Sequence, residues 1–154
     1  MTALRSVDLD ILPDPSPFIG GKRRRATSGR VHSHVYAATG RPTVDVPLAG
    51  GSEVDAAVAA ARAAQPEWRA VRPDDRRRLL LRLADVVMAH ADELTTLQLI
   101  ENGTPLAAAS RFPNTVKEHL QYNAGWPDKI TGTVHPVWPA AGLDYSVLEP
   151  YGVV

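Results

Sequence analysis

Five histidines, His32, His34, His90, His119 and His135, are the side chains best suited to hold a metal or move a proton near neutral pH. Only His32 and His34 are close enough in sequence to share a strand face. Two imidazoles with no third ligand in view read first as a solvated strand face and only second as part of a metal site. There is no cysteine, so these residues offer no disulfide, no thiolate-ligated zinc and no thiolate nucleophile. Phosphate-cradling patterns of the GxxxxGK[ST] and GxGxxG kinds are missing, as are GxSxG and HExxH. The acids are spread over helix surfaces, where they solvate and pair with arginine more readily than they form a catalytic dyad.

The overall charge points to no polyanionic partner. Lys+Arg and Asp+Glu are 17 each, a balance that argues for neither nucleic acid nor an anionic membrane. The run Lys22 to Arg25 reads as a solvated hairpin turn. With 44% apolar and 22% charged residues in 154, one globular domain is expected. No stretch approaches a membrane span or a signal-peptide core, so a cytoplasmic protein is the expectation.

Elements that would position these residues follow from periodicity. Residues 1–16 are rich in Pro and Asp and read as a mobile lead-in. "PFIGGKRR" and "GRVHSHVYAATGRPTVDVPLAGG" give two or three short antiparallel strands, with a turn at Thr39-Gly40. A helix follows over "GGSEVDAAVAAARAAQPEW", with Ser52 as its expected cap, Asp55 in its first turn, and an end near Pro66. Its apolar face is Val54, Ala57, Val58, Ala61 and Ala64. The second helix opens at Pro73, with Asp74 and Asp75 at the positive end of its dipole and Leu79, Leu80, Leu83, Val86 and Val87 as its stripe. Arg76 to Arg78 read as a solvated face beside those acids.

A third, shorter helix stops at Gly103, and Thr104-Pro105 start a fourth, with Thr104 as cap. Pro113 inside that fourth pattern predicts a kink or break at Phe112, since an interior proline costs roughly 3 kcal/mol. "ITGTVHPVWPAAGLDYSVLEP" reads as two strands joined around Pro139 to Gly142. "PYGVV" reads as the opening of a buried strand.

Taken in order, these stretches resemble the N-terminal segment of the aldehyde dehydrogenase superfamily. "FIGGKRR" is similar to its first strand, "VYAATGRP" to its Asn-Pro-x-Thr-Gly-Glu turn, and "VDAAVAAARAAQPEWR" to its first helix with the trailing Trp. "RRRLLLRLADVVMAHADELTTLQLIENGTPL" resembles the helix pair ending in Glu-Ser-Gly-Lys-Pro. "LQYNAGWPDKITGTVHP" resembles the Tyr-Ala-Gly-Trp-Ala-Asp-Lys signature, and "LEPYGVV" the lead into the nucleotide-binding domain. The likeness spans about Phe18 to Val154. It departs at Tyr36-Ala37, where the family has Asn-Pro, at Thr104 in place of Lys, and at Pro113 in a helix that is usually continuous.

The resemblance implies an α/β enzyme with a Rossmann-type coenzyme domain, of which these residues form a locally α+β part, helices with short β-hairpins. It implies a lead-in at 1–16, the N-terminal part of the coenzyme-binding domain at 17–127 as strands then four helices, the β-hairpin of an oligomerisation arm at 128–150, and the first residues of the nucleotide-binding sheet at 151–154. The complete enzyme would oxidise aldehydes to carboxylates with NAD or NADP as a homo-oligomer, its hairpin at 131–149 reaching a neighbouring subunit. The family's Cys nucleophile, general-base Glu and dinucleotide motifs lie downstream, so this chain alone is expected neither to catalyse nor to bind the dinucleotide. Arg111, Phe112 and Thr115 correspond to the mouth of the aldehyde tunnel, with burial in a helix interface as the alternative. Glu101 and a backbone carbonyl near Val35 correspond to a monovalent-cation site, with helix-end capping by Glu101 as the alternative. Half of a split enzyme and a non-catalytic interaction module remain as other readings.

Overall fold

The computed structural model describes residues 9–154. Residues 1–8 of the expected lead-in lie outside the described residues. The rest of it is a 3-10 turn at Leu9–Ile11 and a segment fastened to the first hairpin. Strands β1 (Phe18–Ile19) and β2 (Lys22–Arg23) pair antiparallel through Gly20-Gly21, both at positive φ. Arg23, exposed as expected and placed in β2, is also held to the chain. Its guanidinium lies 5.7 Å from the Phe18 ring centroid and donates to the carbonyls of Asp14 and Ser16, each at 2.8 Å.

β3 (Val31–Tyr36) and β4 (Arg41–Pro47) form the longest antiparallel pair, with a register shift between Ser33 and Val35. The helices follow as α1 (Gly51–Ala70), α2 (Pro73–Ala89), α3 (Ala91–Asn102), α4 (Leu106–Ala109) and α5 (Phe112–Ala124). A last ribbon pairs β5 (Val134–His135) with β6 (Asp144–Tyr145). Among the described residues the three sheets are two-stranded and antiparallel. The chain is therefore locally α+β, helices with short hairpins, as the sequence suggested.

Both prolines in helical patterns differ from or refine the expectation. α1 does not end near Pro66 but carries it in its interior and runs on to Ala70. The fourth helical pattern breaks where expected, α4 ending at Ala109 and α5 opening at Phe112, so the segment holds five helices where four patterns were read. Pro113 stands in the first turn of α5, where its missing N–H would have had no partner anyway. Gly50, not Ser52, is the N-cap of α1, and the acid that answers it is Glu53 rather than Asp55. Pro105 takes the cap position before α4, and Thr104 is held instead by Asn102, whose Oδ1 accepts its N–H at 3.0 Å.

The core is thin. Ile19, Ala84, Ile100, Ala109, Pro113 and Ala124 are buried, and Ile100 is the largest fully buried side chain. The α2 stripe is split between two surroundings. Ala84 is buried and Leu80 and Val87 half-buried on the α5 side, while Leu79, Leu83 and Val86 are 47–49% exposed. On α1 the expected face is open too, with Val54, Ala57, Ala61 and Ala64 exposed and only Val58 half-buried. Residues 151–154 form no strand, because no neighbouring strand pairs with them, and Tyr151 and Val154 are fully exposed.

Helix ends are closed by arginine. Arg76 stacks over Trp68 at 5.1 Å and donates through Nη2 to the carbonyls of Trp68 at 3.1 Å and Val71 at 3.4 Å, a cation at the negative end of α1. Arg77 donates from Nε to the Ala124 carbonyl at the end of α5, 3.1 Å away. Of the three arginines expected on a solvated face, only Arg78 behaves so, paired with Asp75 at 2.7 Å.

Candidate functional site

Gly50 and Gly51 join β4 to the N-terminus of α1, a strand-turn-helix corner of the kind that receives phosphate elsewhere. Here the corner is already filled by the chain's own anion. Glu53 Oε2 accepts from the N–H of Gly50 at 2.8 Å, the N–H of Ser28 at 3.1 Å and the Ser28 hydroxyl at 2.7 Å, and Oε1 accepts from the Ser52 hydroxyl at 2.9 Å. Led by the Ser28 hydroxyl, these donors hold the Glu53 carboxyl well below its ordinary value, at about 2. The carboxylate takes the N–H of the N-cap Gly50 and sets a negative charge at the corner, which would repel the phosphates of a dinucleotide.

The expected tunnel-mouth residues come together at the α4–α5 joint. Arg111 is the N-cap of α5, Phe112 its first residue and Thr115 one turn on. The Thr115 hydroxyl donates to the Arg111 carbonyl at 3.1 Å, and all three residues are exposed, Phe112 by 46%. They are not buried in a helix interface among the described residues.

The end of α3 meets β3 where Glu101 and Val35 were expected to face one another. What bridges them is a residue that was read as strand surface. His34, next to Val35, points one ring nitrogen at the Glu101 carbonyl, 3.1 Å from Nε2, and the other at the Thr43 hydroxyl, 2.6 Å from Nδ1. A carbonyl only accepts, so Nε2 carries a proton; in the neutral ring Nδ1 accepts from Thr43. Gly103 closes α3 at φ 72°, and a Cβ there would stand 2.9 Å from the Ala37 side chain, so glycine permits both the turn and the approach. Both His34 nitrogens are engaged within the chain, and among the described residues no group of three or more His, Asp or Glu is placed to hold a metal ion. Periodicity could not have revealed this bridge, since the acceptor is a backbone carbonyl 67 residues away.

A groove of 480 Å³ lies between the α1–α2 corner and residues 148–152, lined by Trp68, Arg69, Arg76, Ile130 and Leu148 among others. Arg69 Nη2 pairs with Glu149 at 3.0 Å across it. Two of these places set a hydroxyl beside a possible base, Thr43 beside His34 and Ser28 beside Glu53, and in both the hydrogen bond fastens one element to another.

The aldehyde dehydrogenase family is matched over residues 24–154. The chain belongs to this family. It is 35% identical to hydroxyisobutyraldehyde dehydrogenase of Mycolicibacterium austroafricanum over 99% of this chain and 31% of that one. It is 39% identical to phenylacetaldehyde dehydrogenase of Pseudomonas fluorescens over 75% of this chain and 24% of that one. Among solved structures, a variant aldehyde dehydrogenase from Bacillus cereus superposes with TM-score 0.78 at 31% identity, over 86% of this chain and 28% of that one. PnpE in complex with nicotinamide adenine dinucleotide superposes with TM-score 0.76 at 34% identity, over 84% and 27%. This aldehyde dehydrogenase segment thus spans under a third of the length of these relatives and corresponds to their N-terminal part. Among its described residues no helix is long and apolar enough to cross a membrane.

Proposed function

We propose that this chain is the N-terminal scaffold of an NAD(P)-dependent aldehyde dehydrogenase, acting in the cytoplasm once joined to the sheet-forming remainder of the enzyme. The observation that carries the reading is the conservation of shape without closure. Residues that superpose on 27–28% of solved aldehyde dehydrogenases leave their helix stripes open to solvent. In the complete enzyme NAD or NADP would accept hydride from the aldehyde carbon. The Cys, Glu and dinucleotide-binding groups would come from the remainder, because this chain has no cysteine and sets the Glu53 carboxylate at the corner before α1. This chain's part is to set the end of α3 against β3 and to start α5, with Arg111, Phe112 and Thr115 at the tunnel mouth.

Two narrower assignments belong to the same reading. Glu101, exposed beside Val35, would give its carboxylate to a monovalent cation together with a nearby backbone carbonyl. The exposed β5–β6 ribbon within 131–149 would add its edge to a neighbouring subunit in a homo-oligomer. Neither nucleic acid nor membrane is a partner. The test is a chimera in which residues 1–154 replace the matching first 31% of the Mycolicibacterium austroafricanum relative. Aldehyde-dependent NADH formation by the chimera is expected and none by the 154-residue chain alone. A folded, inactive chimera beside an active parent would overturn the reading.

A further inference from the structure

The chain has three asparagines, Asn102, Asn114 and Asn123, and only Asn102 is followed by glycine. The other two lie within α5 with their side-chain amides tied down. Asn114 donates from Nδ2 to the Glu118 carboxylate at 2.7 Å, and Asn123 donates from Nδ2 to the His119 carbonyl at 2.8 Å. Asn102 is the exposed last residue of α3 and is held through its Oδ1, which accepts from the Thr104 N–H at 3.0 Å and from the Thr104 hydroxyl. Two donors on one carbonyl oxygen draw electron density from its carbon and stabilise the negative charge that develops on the oxygen under attack. The Asn102 side-chain carbon is thereby made electrophilic.

The nucleophile next to it is the backbone nitrogen of Gly103, which has no Cβ to crowd the approach. In the folded turn that attack is held off in two ways. Asn102 keeps helical backbone, which turns its Cγ away from the following nitrogen, and the Gly103 N–H is given to the Leu99 carbonyl at 3.0 Å. Both restraints belong to the last turn of a helix, the part that frays first. One contact from outside the helix pins this turn: the proton on His34 Nε2 is given to the Glu101 carbonyl at 3.1 Å, and the Thr43 hydroxyl steadies the ring at Nδ1.

We propose that Asn102 is a site of spontaneous deamidation and that the His34 bridge sets its rate. The Gly103 nitrogen gives its proton to water and bonds to Asn102 Cγ; the Cγ–Nδ2 bond breaks, ammonia leaves, and a succinimide ring closes. Water then opens the ring at either carbonyl, giving an aspartate at 102 or an isoaspartyl link in which the main chain runs through the former side chain. Nothing is oxidised or reduced, and water is the single co-reactant. Either product sets a carboxylate at the negative end of α3, beside Glu101, where the helix dipole disfavours it. The isoaspartyl product also lengthens the main chain by one carbon where there is no room for it, since even a Cβ on Gly103 would stand 2.9 Å from the Ala37 side chain. Deamidation thus loosens the joint between β3 and α3, and it does so irreversibly.

The experiment incubates the 154-residue chain in mildly alkaline buffer and follows the peptide containing Asn102 by mass spectrometry, with the isolated peptide Glu-Asn-Gly-Thr-Pro as the unrestrained reference. Asn102 is expected to convert to aspartyl and isoaspartyl forms more slowly than the reference, while Asn114 and Asn123 stay intact. His34→Ala is expected to raise the rate about fivefold, the effect of removing one neutral hydrogen bond from the opening equilibrium. His34→Gln, whose amide N–H can still meet the Glu101 carbonyl, is expected to keep the parent rate. Where His34→Ala alters the circular dichroism, Thr43→Val takes its place, because it removes the bond that steadies the ring and should also raise the rate. Asn102 intact after the reference has been consumed would overturn the site. Conversion at the reference rate in the parent chain, or equal rates in the parent, His34→Ala and Thr43→Val, would overturn the control by His34.

Discussion

The carboxylate of Glu53 accepts four hydrogen bonds from Gly50, Ser28 and Ser52, and so ties the β2–β3 connection to the start of α1. Its consequence for stability has a definite sign. The folded carboxyl titrates at about 2 against an ordinary 4.5, so the ionised form is favoured by folding. The contribution is fully present above the unfolded value and is lost as pH falls from about 4.5 towards 2. Urea midpoints measured against pH should show Glu53→Gln less stable than the parent at pH 7, with the gap closing below about pH 4. A gap that persists at pH 2 would mean that Gln fails for steric reasons rather than for its charge. The sequence offered Ser52 and Asp55 as the cap and its acid. It hid the true pair because the third partner, Ser28, lies in a loop whose approach no helical pattern encodes.

At the scale of elements, two prolines in similar settings should behave oppositely. Pro66, exposed inside α1, removes the hydrogen bond to the carbonyl four residues back, whereas Pro113 opens α5 where no such bond exists. Pro66→Ala should raise stability by about 1–3 kcal/mol. Pro113→Ala should give no such gain, because it restores no bond and removes part of a buried contact. Denaturant titration of the two variants separates them. Most elements were legible because their signals are local: Pro73 with two acids starts α2, Gly103 stops α3, and a loop at Pro139 to Gly142 joins β5 to β6. The α2 stripe was legible as apolar but not as divided, since five residues at helical spacing do not say which of two neighbours each will meet. Tunnel-mouth and cation assignments came from the family likeness alone; spacing brought Arg111 and Thr115 onto one turn but gave no reason for a substrate to be there.

For the molecule as a whole, a thin core in which Ile19 and Ile100 are the large buried aliphatics among the described residues, and an exposed area of 12100 Å², predict weak cooperativity. The isolated chain should bind a hydrophobic dye strongly and melt over a broad range, and calorimetry should return a van't Hoff enthalpy below the calorimetric one. Equal enthalpies and no dye binding would show a self-sufficient domain. Within that loose whole, the bridge from His34 to the Glu101 carbonyl joins residues 67 apart, and the β3–β4 hairpin and the last turn of α3 are expected to open and close together. Hydrogen exchange should report it as one opening unit: the Gly103 amide, bonded to the Leu99 carbonyl at 3.0 Å, and the ladder amides of β3–β4 should exchange at matched rates, and His34→Ala should release them from one another.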